Sequence, residues 1–285
     1  MKQKIIISAD STCDLPQDFI KENHILITPL HIVLGGDTYE DLVNITPDDI
    51  YTYFDKTGLL PKTSAVNIQE YIDTFKPVVE QGCEIVHLNI GHALSTCYQH
   101  CKLAAKELGV KIHVVDSCNL SMGSGLLVME AVDMMKQGLT AHEISENLHN
   151  TTSNVQCSFV VDKMNYLKAG GRCSAVAAFG ANLLNIKPCI EVNNTDGSMN
   201  VGKKYRGNLS KVLMQYIDNK MESYDNISKK RACVIHAGID EETFNELVAL
   251  VESKHFFDEL VISRAGCTIS SHCGPATMGF MFMTI

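Results

Sequence analysis

Thr63 and Ser64 stand side by side in the stretch Pro61-Lys-Thr-Ser-Ala-Val-Asn67, between two amphipathic segments, with no acid, base or metal ligand next to them. Similar small polar stretches occur where strands should give way to helices: Asp10-Ser-Thr-Cys-Asp14, Gly91-His-Ala-Leu-Ser-Thr96 and Asp116-Ser117. In a doubly wound sheet such turns gather at the carboxyl ends of the strands, in the crevice where ligands bind. Hydroxyls and free amides at helix N-termini suit an anion held without a full counter-charge, so a carboxylate or a phosphate is the expected ligand.

Other chemistry is poorly supported. Cys97, His100 and Cys101 fall one turn apart on a helix, but strong zinc signatures bring four ligands at tight spacing, and no metal is expected. Ser121-Met-Gly-Ser-Gly125 lacks the third glycine and the acid of a dinucleotide loop. His92-Ala-Leu-Ser95 is not the Gly-x-Ser-x-Gly elbow of hydrolases.

The elements that must position these residues alternate between short apolar runs and helical patterns, which predicts an α/β fold. Strands are expected at Lys4–Ser8, His24–Thr28, His31–Leu34, Glu84–Asn89 and Lys111–Asp116. Helices are expected from Pro16, over Thr46–Lys56 with Thr46 as cap and Pro47 at the first position, and over Ser95–Glu107, Gly123–Gln137 and Ala141–Asn150. This half reads as a doubly wound parallel sheet. After Asn150 the rhythm changes: a strand at Val155–Val161, a short helix at Met164–Gly170, and a hairpin of Pro188–Asn193 with Met199–Tyr205 around Asn194-Thr-Asp-Gly197. Helices at Leu209–Glu222 and Glu241–Lys254 and strands at Arg231–His236, Glu259–Ser263 and Gly279–Ile285 complete an α+β half with a mixed or antiparallel sheet. Two domains are expected, residues 1–152 and 153–285, with a ligand pocket at their junction.

Composition limits the partners. The chain has 285 residues and 45% hydrophobic content, enough for a sizeable core, and its formal net charge of −9 argues against nucleic acid or an anionic membrane as main partner. The opening residues resemble neither a secretory signal nor a membrane span, so a cytoplasmic protein without stable membrane insertion is expected. Eleven cysteines scattered singly, without a Cys-x-x-Cys, read as reduced thiols.

Several motifs run in the order seen in the DegV family: Asp10-Ser-Thr-Cys-Asp14-Leu, Lys62-Thr-Ser, Leu94-Ser-Thr-Cys-Tyr-Gln99, Leu167-Lys-Ala-Gly-Gly-Arg172, Leu184-Asn-Ile-Lys-Pro188, Lys204-Tyr-Arg206 and Ser271-His-Cys-Gly-Pro275. The chain resembles that family over essentially its whole length. The resemblance implies a non-catalytic protein without a cofactor that buries one long-chain fatty acid between two domains. In members that serve as the binding subunit of bacterial fatty acid kinase, the lipid is presented to a separate ATP-dependent kinase subunit and becomes an acyl phosphate.

By resemblance, Thr63, Ser64 and Ser95 contact the fatty-acid carboxylate, His272 joins their hydrogen-bond network, and Arg172 serves the partner face or the phosphoryl-transfer site. Hydroxyls suit the task, since a hydrogen bond to a charged group contributes roughly 1.5–3 kcal/mol. Each buried methylene of a tail contributes about 0.8 kcal/mol, so the tail supplies affinity and the hydroxyls supply position. The competing readings are plain: Thr63, Ser64 and Ser95 as helix caps, His272 as a core histidine, Arg172 as an ion-pair partner. The alternative function is a stand-alone enzyme acting on an acyl or phosphorylated ligand through Ser95 and His272. Gly91-His92-Ala93 departs from the small, glycine-bearing loop frequent in the family and adds an imidazole there.

Overall fold

The computed structural model of the chain describes residues 4–109, 112–177 and 186–285. In chain order, β1 (Ile5–Asp10) leads through a 3-10 turn at Ser11–Cys13 to α1 (Gln17–Glu22), β2 (Leu26–Thr28), β3 (His31–Leu34) and β4 (Asp37–Glu40). Then come α2 (Pro47–Thr57), β5 (Lys62–Ser64), α3 (Ile68–Glu80), β6 (Glu84–Asn89), α4 (Cys97–Leu108), β7 (Ile112–Asp116), α5 (Ser121–Gln137) and α6 (Ala141–Thr151). The rest comprises β8 (Val155–Val160), α7 (Met164–Gly170), α8 (Ser174–Ala177), β9 (Ile186–Val192), β10 (Met199–Arg206), α9 (Leu209–Glu222), β11 (Ile227–Ala237), α10 (Glu241–Ser253), β12 (Glu259–Arg264), α11 (Cys267–Cys273) and β13 (Thr277–Thr284).

Local chemistry explains the helix starts. Thr46 with Asp49, Asn67 with Glu70 and Thr140 with Glu143 form reciprocal capping boxes, and Pro47 occupies the first turn of α2. In the N-terminal part a parallel sheet has the order β2-β1-β6-β7. In the C-terminal part a mixed sheet runs β10-β9-β8-β13-β11-β12, parallel only at the β11–β12 pair and antiparallel at the other pairings. Helix α5 touches β1 and β6 of the first sheet and β8, β11 and β13 of the second. That explains why its residues from Ser121 to Met129 are all buried, as expected of a helix apolar on every side. Among the described residues no helix is long and apolar enough to cross a membrane.

The fold departs from expectation mainly around the opening motif. Lys62–Ser64 is a strand, not a turn, and pairs antiparallel with β3; β4 pairs with the other edge of β3 to make a separate three-stranded sheet. β3 is therefore not a further strand of the parallel sheet. Its return to β4 runs through Gly35 and Gly36, both at positive φ, as a two-residue hairpin of the right hand for twisted strands requires. Asn67, rather than Thr63 or Ser64, caps α3. β2 starts at Leu26 instead of His24, whose φ of 50° lies in the left-handed region, and α4 starts at Cys97 rather than Ser95. Leu184 and Asn185 of the Leu-Asn-Ile-Lys-Pro motif lie outside the described residues.

Candidate functional site

A cavity of about 410 Å³ is lined by Thr63, Ser64, His92, Ser95, Arg172, Thr268 and His272, together with apolar residues that include Leu30, Leu120 and Ile269. All five residues singled out from sequence, Thr63, Ser64, Ser95, Arg172 and His272, therefore border one space. They reach it from β5, the loop before α4, the α7–α8 connection and α11.

Two buried carboxylate systems fix the walls. Asp10, at the carboxyl end of β1, accepts hydrogen bonds from Thr28, Tyr71, Asn89 and the Ile90 amide, with His87 3.3 Å away. Burial pushes its carboxyl up, but His87 above all, with Tyr71 and the Ile90 amide, holds it below the usual range. The Ile90 amide begins the loop that carries His92 and Ser95, so the hub anchors that loop. The second system seats α11. The Gly266 amide donates to Asp14 Oδ1 at 2.8 Å, and the Cys267 and Thr268 amides donate to Asp41 at 2.7 and 3.2 Å. These are the orphan donors that open every helix, here satisfied by carboxyl oxygens from a distant part of the chain. Burial pushes the Asp14 carboxyl up to about 8.

On α11, His272 Nε2 lies 2.8 Å from Thr63 Oγ1. Nδ1 is buried with no hydrogen-bond partner among the described residues. Since a buried N–H left without an acceptor is rare, the proton belongs on Nε2, which donates to Thr63. Thr63 then has its own hydroxyl proton free to donate to a ligand oxyanion. Burial, and secondly the charge of Arg172, lowers the His272 pKa to about 4, so the imidazole is neutral near pH 7. Ser64 borders the cavity too, but neighbouring strand residues alternate in direction, and of the pair it is Thr63 that meets His272.

Ser95 Oγ donates to Cys97 Sγ at 3.2 Å and accepts from the Cys97 amide at 3.3 Å. It thus touches the first residue of α4, whose N-cap position is held by Thr96 and not by Ser95. With His272 Nε2 engaged by Thr63, Ser95 has, among the described residues, no hydrogen bond to an imidazole of the kind an activated serine uses. Arg172 donates to the Leu94 carbonyl at 3.4 Å and the Gly170 carbonyl at 2.8 Å, and rims the cavity.

Thr268 was not picked out from the sequence. Its side chain is buried and its Oγ1 has no partner among the described residues, yet it lines the same cavity. Its position four residues before His272, on one face of a helix, is the signal that could have found it. Beyond Leu120 and Ile269, which line both spaces, a narrow apolar seam of about 30 Å³ runs past Phe159, Ile235, Ala265, Cys273 and Met281.

A polar niche thus meets one end of an apolar seam, and the chain as a whole is similar to known proteins. A DegV domain-containing protein of Caldanaerobacter subterraneus subsp. tengcongensis is 30% identical over 281 residues, 98% of this chain and 99% of that protein. A DegV family protein from Thermus thermophilus, whose structure is described as showing fatty acid binding, superposes with a TM-score of 0.91 at 27% identity, covering 99% of this chain and all of that one. A stearic acid-binding protein from Eubacterium ventriosum gives a TM-score of 0.82 at 27% identity over 99% and 98% of the two chains. The sequence model of the DegV family, described as uncharacterised proteins, matches residues 4–284, and this chain belongs to the DegV family.

Proposed function

We propose that the protein binds one long-chain fatty acid at the junction of two domains, residues 1–152 and 153–285, and presents its carboxylate to a separate ATP-dependent kinase subunit. The observation that carries the reading is the Thr63–His272 pair, a hydroxyl from the first half whose proton is freed toward the cavity by a neutral imidazole from the second. Thr63, Ser64 and Ser95 hold the carboxylate in this reading, with His272 orienting Thr63 and Thr268 offering a further hydroxyl. The tail follows the apolar seam beyond Leu120 and Ile269. Because that seam is narrow, the acyl chain enters by displacing side chains such as Met281, whose unbranched thioether adapts at small cost.

Among the described residues no lysine lines the niche, and the guanidinium of Arg172 sits on its rim, held by two backbone carbonyls. A carboxylate held by neutral hydroxyls keeps more of its nucleophilicity for attack on a phosphoryl group than one paired to a buried cation. Arg172 is placed to meet a partner's nucleotide. Binding without turnover fits better than stand-alone catalysis, since among the described residues the hydroxyl of Ser95 bonds to Cys97 and not to an imidazole. Native mass spectrometry of the freshly purified protein, with organic extraction of its cargo, tests the reading. One fatty acid per chain is expected; an empty protein that also refuses added oleate and palmitate would overturn it.

A further inference from the structure

We propose that His92, Asp116 and Cys118 form a binding site for a zinc-class divalent ion at the mouth of the cavity. One ligand atom from each of the three residues falls within 4.8 Å of the others. They come from the carboxyl ends of two adjacent parallel strands: His92 follows β6, Asp116 ends β7 and Cys118 lies two residues beyond.

The carboxylate of Asp116 organises the group. Its Oδ1 accepts from the Cys118 amide at 3.0 Å and the His92 amide at 3.2 Å, which pins both loops, while Oδ2 faces His92 Nδ1 at 2.5 Å. An ion taken up between Nδ1 and Oδ2 would need them to part to roughly 3.4 Å, the separation of two tetrahedral ligands at zinc bond lengths. The surrounding backbone is fixed independently. The Gly91 amide donates to the Asn119 carbonyl at 2.7 Å, and a Cβ at Gly91 would come within 3.0 Å of the Asn119 amide. From the third side, Gly197 of the β9–β10 turn packs so that a Cβ there would meet the Cys118 carbonyl carbon at 3.2 Å.

An imidazole, a carboxylate and a thiolate form a mixed set that favours zinc over magnesium or calcium, which prefer oxygen alone. Three protein ligands leave a fourth position open. His92 also lines the cavity that holds the niche proposed for the carboxylate. The ion site itself does not depend on the fatty-acid reading.

The test is equilibrium dialysis of the whole chain, lipid-loaded and delipidated, against zinc with magnesium in excess, followed by metal analysis. Cobalt then serves as a spectroscopic substitute. One zinc per chain is expected, with a cobalt–thiolate charge-transfer band that C118S removes and C97S retains. Losing a supporting residue of a metal site weakens binding 10–100-fold, so H92A and C118S, which remove ligands, should each weaken zinc by at least about tenfold. Melting curves verify that each variant is folded, and either variant alone decides the matter. Less than one zinc per chain, or binding unchanged in a folded H92A or C118S, overturns the site. Because the readout is metal content, a fatty-acid-free protein that still binds zinc would separate the two proposals.

Discussion

Gly170 and His272 touch so closely that a Cβ on residue 170 would lie 2.3 Å from the ring nitrogen Nδ1. The last residue of α7 thus sets the position of the imidazole that Thr63 meets from the other side. Any side chain at 170 must push the ring along α11 or toward Thr63. In G170A the Thr63–His272 hydrogen bond should be broken, with a stability loss of about 1–3 kcal/mol from overpacking. Displacement of a fluorescent fatty acid should show affinity falling at least about tenfold, the equivalent of one such hydrogen bond. Wild-type affinity in G170A would show that the imidazole does not orient the ligand's partner.

Thr268 allows a sharper test, because its two expected effects have opposite signs. A buried hydroxyl without a partner costs about 1–3 kcal/mol, so the nearly isosteric T268V should leave the ligand-free protein as stable as wild type or more so. If the hydroxyl donates to the bound carboxylate, the same change should weaken fatty-acid binding by roughly 1.5–3 kcal/mol. Thermal melts of delipidated protein and a binding isotherm together decide. Equal affinity in T268V and wild type would remove Thr268 from the site.

Much of this was legible in the sequence, and the failures have definite causes. The alternation of apolar runs and helical patterns located both sheets because hydrophobic periodicity survives without tertiary context. β5 escaped because three residues of a strand half-buried at Thr63 and exposed on either side carry no period, and its partner β3 lies about thirty residues away. Gly35-Gly36, a dipeptide suited to a two-residue hairpin, is the local signal that marks the β3–β4 turn. The pairing of Thr63 with His272 spans 209 positions and depends on how α11 docks, which local spacing does not encode. Docking in turn rests on Asp14 and Asp41, whose role as helix-terminus acceptors is invisible until the fold brings α11 to them. The family motifs marked five residues that the fold brings to the border of one cavity.

Stability should depend on pH through two groups of opposite sign. His272 is held neutral down to about 4, against an ordinary value of 6.5. Between those pH values the unfolded chain binds a proton that the folded chain does not, so this group's contribution falls as the pH drops from 6.5 toward 4, at about 1.4 kcal/mol per unit. His236, also lowered to about 4, acts in the same direction. Asp14 is raised to about 8, against an ordinary value of 3.8. The folded chain retains its proton there, so its contribution is full at low pH and is lost as the pH rises to 8. Urea unfolding from pH 4 to 9 should therefore show H272Q reducing the acid-side loss and D14N reducing the loss between pH 6.5 and 8. Parallel curves for wild type and either variant would refute the corresponding assignment.

Arg172 separates the two halves of the proposed function. It lies at the rim, anchored through the Leu94 and Gly170 carbonyls, while a tail in the seam supplies about 0.8 kcal/mol for each methylene buried. Losing the guanidinium should therefore change retention of a sixteen-carbon fatty acid little. R172A is expected to leave the purified protein loaded with lipid, as native mass spectrometry would show, yet to lower acyl-phosphate formation with a fatty acid kinase subunit and ATP by at least about 100-fold, because a guanidinium that stabilises phosphoryl transfer is worth 10³–10⁵ and a docking arginine about 2 kcal/mol or more. Lysine at this position retains charge but not the planar fork, so R172K should recover only part of the rate. Loss of bound lipid in R172A would instead make Arg172 a ligand of the carboxylate. Unchanged lipid and unchanged phosphorylation would detach it from the partner altogether.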